Sequence, residues 1–196
     1  MVSTPVVLKS LAAAASAHLA ISLACVANGA LTKGTNHKHD KLANDEDISG
    51  WKVASPVVVD MYSGKGITQP GRLSQDCVFA DPVAICVGRE EVVEAFRALK
   101  CLSPDSIASP KLVHVEPLAD NVTRFTTKLH QRYMKTLTVH SLLIVDMKEE
   151  EGKDPTIVRF EERWNNRPLL NQIPFTFVRR INGVLSFRVT ALLVGN

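Results

Sequence analysis

The chain has 196 residues, 45% of them hydrophobic and 22% charged, and a net charge of +3. That length suits one domain of roughly 100–150 residues with extra segments, and it is enough to bury a sizeable core. Charges of both signs are spread along the chain, and no basic stripe interleaves with aromatics, which excludes a dedicated nucleic-acid binder.

The segment "VVLKSLAAAASAHLAISLACVANGA", within residues 1–30, is rich in Ala and Leu and carries only Lys9 and His18 as ionisable bases. Three readings fit it: a signal peptide or membrane anchor, an Ala-rich helix packed on the domain, or an organelle-targeting peptide. The first places the chain in the secretory pathway or at a membrane. Asn121-Val122-Thr123 is a glycosylation acceptor sequence, which matters only if the chain is secreted. The polar "TKGTNHKHDKLANDED" that follows reads as a linker over residues 31–46, with His37 and His39 solvated.

The folded part begins near Asp47. Ser55 is a candidate N-cap with Pro56 at the first helical position, and Trp51, Val58, Val59 and Tyr62 supply an apolar face. "GKGITQPG" breaks this helix. "CVFADP" reads as a short strand running into a turn. After Gly88, "REEVVEAFRALK" places Val92, Val93, Phe96 and Leu99 on one helical face. Its glutamates lie early and its lysine late, as the helix dipole prefers.

Beyond "SPDSIASP" the period changes. "KLVHVEPL", "NVTRFTTKLHQRYM", "TLTVHSLLIVDM" and "TIVRFEERW" are four strand candidates rich in β-branched and aromatic residues. In the last, alternation puts Val158, Phe160, Glu162 and Trp164 on one face and Ile157, Arg159, Glu161 and Arg163 on the other. Glu162 on an apolar face needs a partner or a raised pKa, so it either lines a pocket or pairs with an arginine. His130 shares its face with Arg124, Lys128 and Arg132 and points outward. The tail "IPFTFVRRINGVLSFRVTALLVGN" is a helix by length, although Asn182-Gly183 is a hairpin signal. Helices first and an antiparallel meander after them give an α+β fold, with a curved sheet covered on one face by helices.

The four cysteines, Cys25, Cys77, Cys86 and Cys101, form no CxxC pair and stand beside no histidine cluster. They read as buried small hydrophobes, and neither a metal centre nor a cofactor is expected.

The order helix, "FADP", Gly88, helix, then long strands ending "RFEERW" resembles the nuclear transport factor 2-like superfamily, in its SnoaL-like and ketosteroid isomerase-like branch. The resemblance covers Asp47 to Trp164 and gives a domain over residues 47–166, with 167–196 as an extension. It implies a cone-shaped α+β barrel with an apolar cavity. Asp81 of "ADPV" matches the general base of ketosteroid isomerase, and Tyr62 is the counterpart of its oxyanion-hole tyrosine. The acid of that hole falls near Leu142, which is apolar, with His140 two residues earlier as a substitute donor. Losing a donor to a developing oxyanion costs orders of magnitude in rate, so steroid isomerisation itself is not expected. The residues themselves also read Asp81 as the turn residue that introduces Pro82. Phe79, Phe96, Leu142, Glu162 and Trp164 are the expected ligand-lining residues. The function implied is binding of a small apolar ligand, with an isomerase or lyase reaction based on Asp81. The alternative is a non-catalytic module that forms a homodimer through its sheet. A membrane surface is a further partner expected for the apolar termini.

Overall fold

In the computed structural model, the residues described are 49–99, 104–107, 110–133, 137–169 and 173–193. The N-terminal apolar segment, the linker, Cys25, Cys101 and the break near Lys135 lie outside them.

Helix α1 spans Ser49–Tyr62, and a single 3-10 turn follows at Pro70–Arg72. The helix starts about two turns earlier than Ser55 suggests, so Pro56 lies inside it. Packing overrides the local signal here. Trp51 is buried against Phe125, with ring centroids 5.8 Å apart. Gly50 lies so close that a Cβ there would sit 2.8 Å from Phe125 Cζ. This contact holds the first turn, although a proline in a helix interior removes one backbone hydrogen bond.

Strand β1 (Leu73–Ala80), the short β2 (Ile85–Val87) and helix α2 (Arg89–Leu99) follow. Gly88 joins β2 to α2 with φ +93°, and its N–H donates to Cys77 O. Only glycine takes that conformation at no steric cost. On α2, Val92 and Phe96 are buried and Val93 and Leu99 pack beside them, as the helical spacing requires. Cys77 and Cys86 are buried free thiols, and burial pushes both up to about 12.

The remaining strands are β3 (Pro104–Ile107), β4 (Lys111–Pro117), β5 (Val122–Tyr133), β6 (Leu137–Lys148) and β7 (Thr156–Trp164). Among the described residues they complete a seven-stranded sheet in the order β2-β1-β7-β6-β5-β3, with β4 also on β5. The β4–β5–β6–β7 meander is the antiparallel one expected. Two features go beyond it. β3 pairs with the C-terminal part of β5, beyond the stretch that β4 occupies. β1 pairs in parallel with β7, so the sheet is mixed. No pairing joins the two edges among the described residues, so the curved sheet stays open rather than closing as a barrel.

One register detail corrects the simple alternation in β7. The β6–β7 pairing steps from Asp146↔Arg159 to Met147↔Ile157, which leaves Val158 as an extra residue. The bulge turns Ile157 into the core, fully buried, while Phe160 and Glu162 keep the inward face. An inserted residue resets which side chains share a face.

The core lies between the inward sheet face and α1 and α2, with Val58, Met61, Leu73, Phe79, Phe125, Leu143 and Phe160 among its members. The tail is helix α3, Ile173–Leu193. The hairpin reading of Asn182-Gly183 is overturned because both residues are docking contacts. Asn182 Nδ2 donates to Val83 O at 3.0 Å, and Gly183 lies directly against the Ile85 backbone. None of the described helices is long and apolar enough to cross a membrane.

Candidate functional site

Asp81 follows the last residue of β1 and faces into a tight turn. Its Oδ1 accepts from Val83 N at 2.7 Å and Ala84 N at 2.5 Å, and its own N–H donates to Ala84 O at 3.0 Å. A carboxylate that takes two backbone donors from residues two and three ahead makes an Asx-type turn. So Asp81 is a turn residue by geometry. It is also partly buried beside a second carboxyl. In the parallel pairing of β1 and β7, Ala80 stands opposite Glu161, which brings Asp81 and Glu162 to the same level.

Glu162 is only 3% exposed. Its partners are neutral donors and not an arginine. Tyr62 OH donates to Oε2 at 2.8 Å, and Gln131 Nε2 and Trp164 Nε1 donate to Oε1 at 2.9 and 3.1 Å. Gln131 Nε2 also reaches Ser141 Oγ at 3.1 Å. Tyr62 is in turn set by ring packing, edge-on to Phe96 at 5.4 Å, and Phe96 is edge-on to Phe79 at 4.8 Å. Four elements thus converge on one carboxyl: α1, β5, β6 and β7.

The electrostatics follow from burial. Removal from water first, and the Glu162 carboxylate second, push the Asp81 carboxyl up to about 7. The Ala84 and Val83 amides and the Arg179 guanidinium oppose that rise. Burial also raises Glu162, while its Tyr62, Ser141, Gln131 and Trp164 donors hold it down. Two acids that share a dry site avoid ionising together, so the pair retains a proton into the neutral range.

The sheet separates the expected site residues into two groups. Tyr62, Phe79, Phe96, Glu162 and Trp164 lie with Asp81 on the helix-covered side. His140 and Leu142 do not. Ser141 and Leu143 face inward, so strand alternation turns His140 and Leu142 to the outer face. His140 is exposed there and contacts His130 across the sheet. It is no acid/base partner for Asp81. Tyr62 has its hydroxyl engaged by Glu162, so the two-donor oxyanion hole implied by the resemblance is not assembled.

Several contacts of this cluster were not singled out from the sequence. Gln131 and Ser141 complete the Glu162 shell, and their positions in the alternations Phe125/Thr127/Leu129/Gln131 and Val139/Ser141/Leu143 were the available signal. Helix α3 covers the Asp81 turn through residues with no such signal. Arg179 Nε donates to Asp81 O at 2.7 Å, and Arg180 binds Glu91 with both terminal nitrogens at 2.6 and 2.8 Å.

Phenylalanine at position 62 would leave the ring packing intact and remove one donor from the Glu162 carboxyl. We expect a loss of about 1.5–3 kcal/mol in a urea melt, the range for a hydrogen bond to a charged group. A loss under about 0.5 kcal/mol would place the Tyr62 hydroxyl outside the network.

No protein-family model matches the chain, and no curated protein does either. Solved structures do. A ketosteroid isomerase-like protein from Erwinia carotovora atroseptica aligns with a TM-score of 0.51 at 12% identity, over 64% of this chain and 100% of that one. A protein of unknown function with a cystatin-like fold from Nostoc punctiforme gives 0.47 at 12% identity, over 67% and 98%. A nuclear transport factor 2-like protein of unknown function from Cytophaga hutchinsonii gives 0.40 at 11% identity, over 60% and 91%. Identities this low speak to the fold alone. With helices on one face of a curved sheet and a long strand meander behind them, the chain has the nuclear transport factor 2-like α+β fold of the ketosteroid isomerase-like proteins.

Proposed function

We propose that the domain binds a small apolar molecule beside the Asp81–Glu162 pair, with Asp81 as the general base of an isomerase or lyase reaction. The observation that carries this reading is the pair itself, two carboxyls at one level of the β1–β7 pairing, Glu162 buried and Asp81 partly so. A base whose pKa lies near the working pH exchanges a proton at little cost in either direction. Asp81 would take the proton from carbon next to a carbonyl, while its two amide donors keep the carboxylate oriented. Glu162, which accepts from Tyr62, Gln131 and Trp164, would keep negative charge beside Asp81 and so favour its taking up a proton. Buried, perturbed acids of this kind concentrate at functional sites, which supports the assignment. Phe79, Phe96 and Trp164 would supply the apolar walls.

The test is an NMR titration of the Asp81 carboxyl in the full chain, with and without a panel of hydrophobic carbonyl compounds. The expected result is a midpoint near 7 that moves when a compound binds. An ordinary midpoint, insensitive to every compound, would reduce Asp81 to its turn and end the enzyme reading.

One observation favours the second reading, a non-catalytic interaction module. Helix α3 lies over the Asp81 turn and turns Ile173, Phe177 and Ile181 to solvent, at 86%, 65% and 43% exposure. On that reading the chain would sediment as a dimer or as a complex with a protein partner, and the Asp81→Asn variant would do the same.

A further inference from the structure

The outer face of the sheet holds a pair of side chains that the reading above does not use. His130 of β5 and His140 of β6 stand directly opposite each other in the antiparallel register. Both are exposed, their rings are 87° apart with centroids 4.6 Å from one another, and the two Nδ1 atoms are 2.7 Å apart. One Nδ1 must donate and the other accept, so the two Nδ1 atoms face each other between the strands.

We infer that His130 and His140 form a bidentate site for a divalent ion of the zinc, nickel and copper group. Imidazole nitrogen is a favoured ligand for these ions. Zinc–nitrogen bonds of roughly 2.0–2.1 Å in tetrahedral geometry separate two ligand nitrogens by about 3.3 Å. The pair therefore needs to open by about half an ångström, a small rotation for two exposed rings. As the ion enters, the proton of the donating ring moves through solvent from its Nδ1 to its own Nε2, so both rings bind through Nδ1 as neutral Nε2–H tautomers and no net proton is released. The sheet fixes both backbones, so little order remains to be imposed on binding.

The surroundings select the kind of ion. Lys128 and Arg132 flank His130 on the same face of β5, and Arg163 of β7 stands opposite Leu142, next but one to His140 on that face. These cations disfavour calcium or magnesium, which are held by charge and oxygen ligands. An ion held by directed bonds to nitrogen tolerates them better. Among the described residues no group of three or more His, Cys, Asp or Glu side chains is placed to hold a metal. Water fills the remaining positions, and the site is an open one.

The experiment titrates the untagged full chain with zinc chloride, and separately with nickel chloride. Calorimetry gives the affinity, and the imidazole resonances report the ligands. Wild-type protein should bind one ion on the sheet with shifts at both His130 and His140. His130→Gln and His140→Gln should each weaken that binding by at least about tenfold, since even the loss of an outer-shell partner costs roughly 10–100-fold. A His37→Gln/His39→Gln double variant should leave it unchanged. Binding that survives in the two sheet variants, or is lost only in the linker variant, would overturn the proposal. So would wild-type imidazole signals that do not move, a readout that needs no variant to fold.

Discussion

Replacing Gly183 by alanine is expected to destabilise the protein by about 1–2 kcal/mol, although it puts a better helix former in the middle of α3. The two effects oppose each other. Glycine to alanine in a helix interior gains about 1 kcal/mol of propensity. Here, however, the new methyl would strike the Ile85 carbonyl oxygen and lie 2.7 Å from the Ile85 carbonyl carbon. Those are backbone atoms of a strand paired with β1, and they cannot swing aside. Relief requires α3 to lift, which strains the Arg180–Glu91 pair and the bonds from Arg179 and Asn182 to the Asp81–Val83 segment. Overpacking of this kind outweighs the propensity gain. Thermal denaturation should show a midpoint lower by roughly 2–8 °C for a chain of this size. Limited proteolysis should cut α3 faster than in wild type. An alanine variant with unchanged midpoint and protection would mean that Gly183 does not seat the helix.

The second large effect belongs to Asp81. Asparagine at position 81 keeps an Oδ1 that can accept the same two amide bonds, and it loses the charge and the proton. Activity of any proton-transfer kind should fall by about 10²–10⁴-fold. Stability should move the other way. Burial raises the folded-state pKa of Asp81 from 3.8 to about 7. The folded protein therefore holds this proton more tightly than the unfolded chain does. The contribution is fully present below pH 4 or so and is lost as pH rises through about 7. The ceiling on that loss is about 4 kcal/mol, and sharing of one proton with Glu162 makes about 2 kcal/mol the working expectation. Wild-type stability should thus decline from pH 4 to pH 7.5, and the Asn variant should decline less and exceed wild type at the upper end. Urea melts across that range check it. An Asn variant weaker than wild type at pH 7.5 would mean that the Asp81 charge is favourably held, and that the site is an ordinary turn.

The sequence by itself determined the class of the fold and the kind of residue at each level. Period 3.6 in "REEVVEAFRALK" and period 2 in the four long strands are local consequences of which side chains avoid water. They put α2, β4, β5, β6 and β7 where the structure has them. Glu162 on an apolar strand face was legible as an anomaly for the same reason. The tertiary structure decided what local pattern does not encode. Pro56 lies within a helix because Trp51 and Gly50 pack on Phe125, more than sixty residues away in the chain. Ile157 faces the core because a bulge shifts the β6–β7 register. Asn182-Gly183 is helical because α3 must approach the Ile85 backbone closely. His140 could be placed on a strand from sequence, but the face it occupies was settled by pairing. That pairing took it from Asp81 and set it against His130. In the same way, β1 running parallel to β7 brings Asp81 level with Glu162, and only that long-range pairing makes two separate carboxyls into one site. Contacts distant in sequence depend on how elements meet, and no window of neighbouring residues carries that information.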